Sequence, residues 1–76
     1  MAKIKTKAIR YNADIDRLLI GTHEVRCGES VRVKLPMLGW VDTRVERGDQ
    51  EQGHEGWYLV GYDIINPVGL PAEVNI

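Results

Sequence analysis

One cysteine, Cys27, stands among 76 residues, so no internal disulfide can staple the fold. A lone thiol points to a reducing, cytoplasmic setting rather than a secreted one. No apolar run approaches the ~20 residues that a membrane-spanning helix needs, and Leu18-Leu19-Ile20 stops at Gly21. The basic start, Lys3, Lys5 and Lys7, lacks the apolar stretch of a secretion signal. Net charge is also missing: the formal value is −1, which removes a bulk electrostatic argument for binding nucleic acid. Sustained helical periodicity is absent too. The length of 76 residues fits one domain, 1–76, and excludes multi-domain enzymes and repeat arrays. So short a chain buries only roughly 60% of its unfolded surface. Its core is therefore economical or shared, and a shared core would make a homodimer.

What is present looks globular, with 43% hydrophobic and 28% charged residues. The near-zero charge conceals a division. Residues 1–38 hold eight basic and four acidic groups, giving +4, and residues 39–76 hold two and seven, giving −5. Either the halves interleave in space and the asymmetry disappears, or they form two faces of opposite sign that favour association.

The repeating signal is alternation with period two. Val31, Val33 and Leu35 alternate with Arg32 and Lys34, and Pro36-Met37-Leu38-Gly39 then turns the chain. Val41, Thr43 and Val45 follow against Trp40, Asp42, Arg44 and Glu46, which predicts a hairpin. Residues 47–56 contain three glycines and no aliphatic side chain, and read as a mobile loop. Trp57-Tyr58-Leu59-Val60-Gly61-Tyr62 is dense in aromatic and β-branched residues and reads as the central strand. Residues 72–76 would close the sheet. Near the start, Ile4, Thr6, Ala8 and Arg10 alternate with Lys3, Lys5, Lys7 and Ile9, a strand whose lysines suit a sheet edge. Arg17–Ile20 adds another. The expected fold is all-β: a small SH3-like barrel of five or six short antiparallel strands, closed so that no edge is exposed.

Two resemblances rest on these segments. Glu55-Gly56-Trp57-Tyr58-Leu59-Val60, followed by Gly69-Leu70-Pro71-Ala72-Glu73-Val74, resembles the end of an SH3-type barrel. That family reads proline-rich peptides on an aromatic groove, and Trp57 and Pro71 match two of its positions. Val74 stands where the family has a tyrosine, so the likeness implies the barrel and not the groove. The second resemblance covers residues 11–76. Cys27-Gly28-Glu29, then Gly39-Trp40-Val41-Asp42-Thr43-Arg44-Val45-Glu46, then Trp57-Tyr58-Leu59-Val60-Gly61 are similar, in order, to domain-of-unknown-function family 5348. That resemblance implies short stand-alone proteins of gut bacteria, phages and mobile elements, and implies no reaction.

The candidate partner-binding residues are Trp40, Arg44, Glu46, Trp57, Tyr58 and Tyr62, with the loop 47–56. Arg44 offers a planar fork to a carboxylate or phosphate, or else pairs with an acidic cross-strand neighbour. Trp40 could anchor a partner or cover the end of the barrel. One side of the Trp57–Tyr62 strand must feed the core, and the Trp57/Leu59 side is the expected one. Lys3, Lys5, Lys7, Arg10, Arg32 and Lys34 would form a nucleic-acid surface if they gathered on one face. His23 and Cys27, with His54 far off, make a poor zinc set, and Cys27 reads better as a small buried turn residue. Neither a Cys27–His23 pair nor an Asp14–Asp16 pair has a third group, and Asp14 reads as a turn former. No catalytic residue, metal or cofactor is assigned. The expected function is non-enzymatic: a protein-interaction module or accessory factor of a phage or mobile element, its partner unnamed. Nucleic-acid binding, and inhibition of a host defence complex, are the alternatives.

Overall fold

Alternation translates directly into strands in a computed structural model that describes residues 4–75. Seven strands are present among them, with no helix: β1 (Ile4–Asn12), β2 (Arg17–Ile20), β3 (His23–Glu24), β4 (Ser30–Leu35), β5 (Gly39–Arg47), β6 (Trp57–Leu59) and β7 (Pro71–Asn75). All neighbours are antiparallel, in the order β3-β2-β1-β7-β4-β5-β6, and the sheet curls into a half-barrel. The all-β expectation holds. The strand beyond the expected six is β3, whose two residues are too few to show a period.

The hairpin β4–β5 follows its sequence signals. Val31, Val33 and Leu35 are buried, and Ser30, Arg32 and Lys34 are exposed. Pro36–Leu38 join the strands so that Leu35 faces Gly39. Ile9, Leu18, Ile20, Val25, Val45, Trp57, Leu59 and Ala72 complete the core with those three β4 residues. Each fully buried aliphatic side chain contributes about 1.5–3 kcal/mol of transfer free energy.

Four expectations need correction. The aromatic segment is not the central strand: β6 is three residues long and lies at the sheet edge, while β7 lies between β1 and β4. After Val60 the chain turns at Gly61, and the Tyr62 N–H donates back to the Leu59 carbonyl at 2.9 Å. Among the described side chains of β7 the buried one is Ala72, too small to announce a central position. Ile76, the expected end of this strand, lies outside the described residues.

Nor is β1 simply an edge. Its first half, Ile4–Ala8, pairs with β7, and its second, Ile9–Asn12, pairs with β2. Among its described side chains the buried one is Ile9, which shares its alternation class with the lysines. The loop 47–56 is built rather than loose. Gly48 N–H donates to Gly56 C=O at 2.8 Å, Gly53 N–H to Asp63 C=O at 3.0 Å, and His54 and Trp57 exchange two backbone bonds of 2.9 Å. These bonds supply the order that aliphatic burial does not.

Closure of the barrel by backbone pairing is incomplete, so edges remain. Side chains bridge part of the gap, as described next. The two charge halves interleave, because β7 of the acidic half sits between β1 and β4 of the basic half.

Candidate interaction surface on the outer sheet face

The register of β4 and β5 sets three pairs side by side on the outer face: Lys34 with Trp40, Arg32 with Asp42, and Ser30 with Arg44. β7 places Glu73 beside Arg32, and β1 places Thr6 beside Glu73. A polar row, Thr6–Glu73–Arg32–Asp42, thus crosses four strands. Thr6 Oγ1 donates to Glu73 Oε2 at 3.3 Å, and Arg32 Nη1 lies 3.6 Å from Glu73 Oε1. The Arg32 guanidinium also sits 5.7 Å from the centre of the half-buried Trp40 ring, within cation–π range.

Arg44 differs from Arg32. Its cross-strand neighbour is the Ser30 hydroxyl, and among the described residues no carboxylate lies within 4.0 Å of its guanidinium. The acidic cross-strand partner considered for it is absent there. An open groove of about 780 Å³ runs past it, lined among others by His23, Arg32, Asp42, Arg44, Val60 and Glu73. Both signs of charge line this groove.

The other candidates fall into different places. Glu46 is half-buried, accepts the Cys27 thiol at 3.3 Å and faces Tyr58 across β6. Trp57 is 3% exposed and belongs to the core, as expected of the Trp57/Leu59 side, so it offers no contact to a partner. Tyr62 does not share a face with Tyr58, because the turn at Gly61 has reversed the chain and Tyr62 packs on the core.

Lys3 and the side chain of Lys5 lie outside the described residues. Lys7 pairs in register with buried Ala72 and so stands on the inner-facing alternation of β1, while Arg10 has the opposite one. Arg10 donates to the Gly21 carbonyl at 2.9 Å. Arg32 and Lys34 are on the outer face of β4. Arg10, Arg32 and Lys34 share the outer alternation and Lys7 does not, and Arg10 and Arg32 are already engaged by Gly21 and Glu73.

His23 Nε2 is 2.5 Å from Glu29 Oε2, whose other oxygen accepts the Arg26 N–H at 3.0 Å. Cys27 is exposed, not buried, in the turn between β3 and β4. His54 packs edge-on against Tyr11 at 4.7 Å. His23, Cys27 and His54 are therefore not one cluster. The turn former near the start is Asn12, whose Oδ1 accepts the Asp14 N–H at 2.9 Å. That corrects the role given to Asp14.

Sequence reading missed Asp16. Its backbone is left-handed, with φ 53°, and its carboxylate gathers three neighbours. Tyr11 donates its hydroxyl at 2.6 Å, Arg47 forms an ion pair, and the Trp57 indole N–H reaches Asp16 O at 3.2 Å and Oδ1 at 3.4 Å. The Tyr11 hydrogen bond, then the Arg47 contact, hold the Asp16 carboxyl below its usual range. The same hydrogen bond, aided by desolvation and the carboxylate charge, pushes Tyr11 up to about 12. Arg47 also stacks 5.3 Å from the Trp57 ring centre. This latch joins the β1–β2 turn to the end of β5 and to β6, at a gap that backbone pairing leaves open.

Comparison with known families decides the affiliation. A family model described as a domain of unknown function, DUF5348, matches residues 7–74. The chain belongs to this family. No curated protein and no solved structure matches it. The DUF5348 match takes in the outer-face platform of β4, β5 and β7 together with the Asp16 latch. No helix of the described residues is long and apolar enough to cross a membrane.

Proposed function

We propose that this DUF5348 protein is a non-enzymatic protein-interaction module, an accessory factor of a bacterial phage or mobile element acting in the cytoplasm. Its contact surface is the outer face of β4 and β5, with Trp40 and Arg44 as anchors and Glu46 and Tyr58 at the margin. The observation that carries this reading is Arg44 itself: an exposed guanidinium, opposite a hydroxyl, with no carboxylate partner among the described residues and a groove beside it. Aromatic and arginine side chains of this kind supply a disproportionate share of binding energy at protein interfaces. The phage setting rests on the family resemblance, and the compartment on the lone thiol.

The test is affinity capture from a native host, comparing the wild type with Trp40→Ala and Arg44→Ala. Each substitution should weaken capture of a specific protein by about 5- to 30-fold, as expected for an anchor contributing about 1–2 kcal/mol. Circular dichroism should remain unchanged, because neither side chain is in the core cluster. Full capture by both variants would remove this surface from consideration.

A further inference from the structure

The sheet leaves one edge unusually well suited to pairing. On β5, Val45 donates its N–H to Glu29 C=O at 2.9 Å and accepts the Gly28 N–H at 2.6 Å, so odd-numbered residues bond toward β4. Even-numbered residues then point the other way, and Arg44 does so, its carbonyl accepting the Val60 N–H at 2.9 Å. Trp40 and Asp42 belong to the same set. Among the described residues, their N–H and C=O groups have no partner. The segment Gly39–Thr43 is thus a free edge, bounded by Val60 at one end and the hairpin tip at the other.

Other edges are protected. β3 is two residues long, β6 is flanked by bridges from His54 and Tyr62, and the unpaired side of β1 carries Lys5 and Lys7 in its sequence. Short length, covering segments and lysines are the usual means of blunting an edge. Gly39-Trp40-Val41-Asp42-Thr43 has neither lysine nor proline. Beside it, Met37 and Leu38 at the tip are 104% and 63% exposed.

We propose that this edge is the interface of a homodimer, in which two copies of β5 pair antiparallel about Val41. The inference rests on the interaction reading above and names the first partner of that surface as a second copy. A two-fold about Val41 matches the free segment with itself. Trp40 lies opposite Asp42 of the second copy, Gly39 opposite its Thr43, and Val41 opposite its Val41 at about 4.5 Å between Cα atoms. Trp40 then has Arg44 of the second copy as a diagonal neighbour, at roughly 7–8 Å, within reach of a long side chain. That supplies the unpaired guanidinium with an aromatic face, twice by symmetry. A two-fold about Asp42 would instead oppose two carboxylates and drive Trp40 into the place of Val60. Charge and sterics therefore favour the Val41 register over that one.

Sedimentation over a concentration series, with amide exchange measured on the same samples, tests this. The mass should rise from 8.6 kDa toward twice that value. The Trp40 and Asp42 amides should be protected increasingly as the dimer forms. Asp42→Pro, which removes an outward N–H from each copy, should raise the dimer dissociation constant by about 30-fold. Arg44→Ala should raise it by about fivefold, and Lys7→Ala, on the lysine-bearing edge, should leave it unchanged. A mass fixed at 8.6 kDa to millimolar concentration overturns the proposal. So does a dimer in which exchange at Trp40 and Asp42 ignores concentration, a readout that stands even if Asp42→Pro fails to fold. A monomer that still captures a foreign protein through Trp40 defeats the homodimer and leaves the interaction reading intact. A dimer through this edge without any Trp40-dependent capture supports the homodimer and defeats the wider reading.

Discussion

Asp16 connects three parts of the chain through one carboxylate, and pH acts on it from both ends of the scale. Its native pKa is depressed below 3.8, so the stability it contributes is present above that value and lost as pH falls through the native one. Tyr11 has the opposite sign. Its pKa is raised from 10.0 to about 12, so its contribution is complete below pH 10 and disappears as pH rises from 10 through 12. Thermal melts should show Asp16→Asn several degrees below wild type at pH 7, with the difference shrinking below about pH 4. Tyr11→Phe should likewise approach wild type between pH 10 and 12. Differences that stay constant with pH would disprove the latch. None of this was legible in the sequence, because Arg47 and Trp57 come from strands distant along the chain and Tyr11, five residues before Asp16, meets it only through the β1–β2 turn. Asp16 stood only as half of a weak carboxylate pair. Arg44 was legible as a chemical type, but not as unpaired, since that depends on Ser30 lying across from it.

At the scale of elements, β4 and β5 could be read almost to the residue, because a half-buried strand must alternate and a hairpin needs its turn residues. The sequence misled where burial and hydrophobicity part company. β7 is central with only Ala72 fully buried among its described side chains, and β6 is aromatic yet lies at the edge. The loop 47–56 misled for a related reason: its order comes from backbone bonds, which leave no compositional trace. Glycine substitutions separate these cases. A Cβ at Gly53 would overlap the Trp57 carbonyl oxygen, whereas one at Gly69 meets nothing within 4 Å, and both residues have positive φ. Gly69→Ala should cost about 1–2 kcal/mol, the penalty of a left-handed backbone. Gly53→Ala adds a steric clash and should cost more than about 3 kcal/mol by denaturant titration. Equal costs would mean that the loop gives way, as a mobile segment would.

For the whole molecule, the sheet order decides how charge is presented. Strands of the +4 half and the −5 half alternate around β7, and ion pairs Arg32–Glu73 and Arg47–Asp16 join the halves. The two-faced distribution that the sequence allowed is replaced by interleaving. A polyanion needs several cations in a line: Lys7 faces the other way, Arg10 and Arg32 already have partners, and only Lys34 and Arg44 stand on the outer face without a carboxylate partner among the described residues. Nucleic-acid binding is therefore expected to be weak and shallow in its salt dependence. In filter binding to a short duplex, the slope of log K against log salt should be no steeper than about −2, corresponding to two phosphate contacts. A slope of about −4 or beyond would require four or more phosphates neutralised together. That could arise only if Arg10 and Arg32 give up their partners and join Lys34 and Arg44 on the outer face, and it would move the function from protein contact to nucleic acid. The same titration with Lys34→Ala identifies the face involved. A slope reduced by about one unit places Lys34 on the bound phosphate track, and an unchanged slope leaves the outer face to a protein partner.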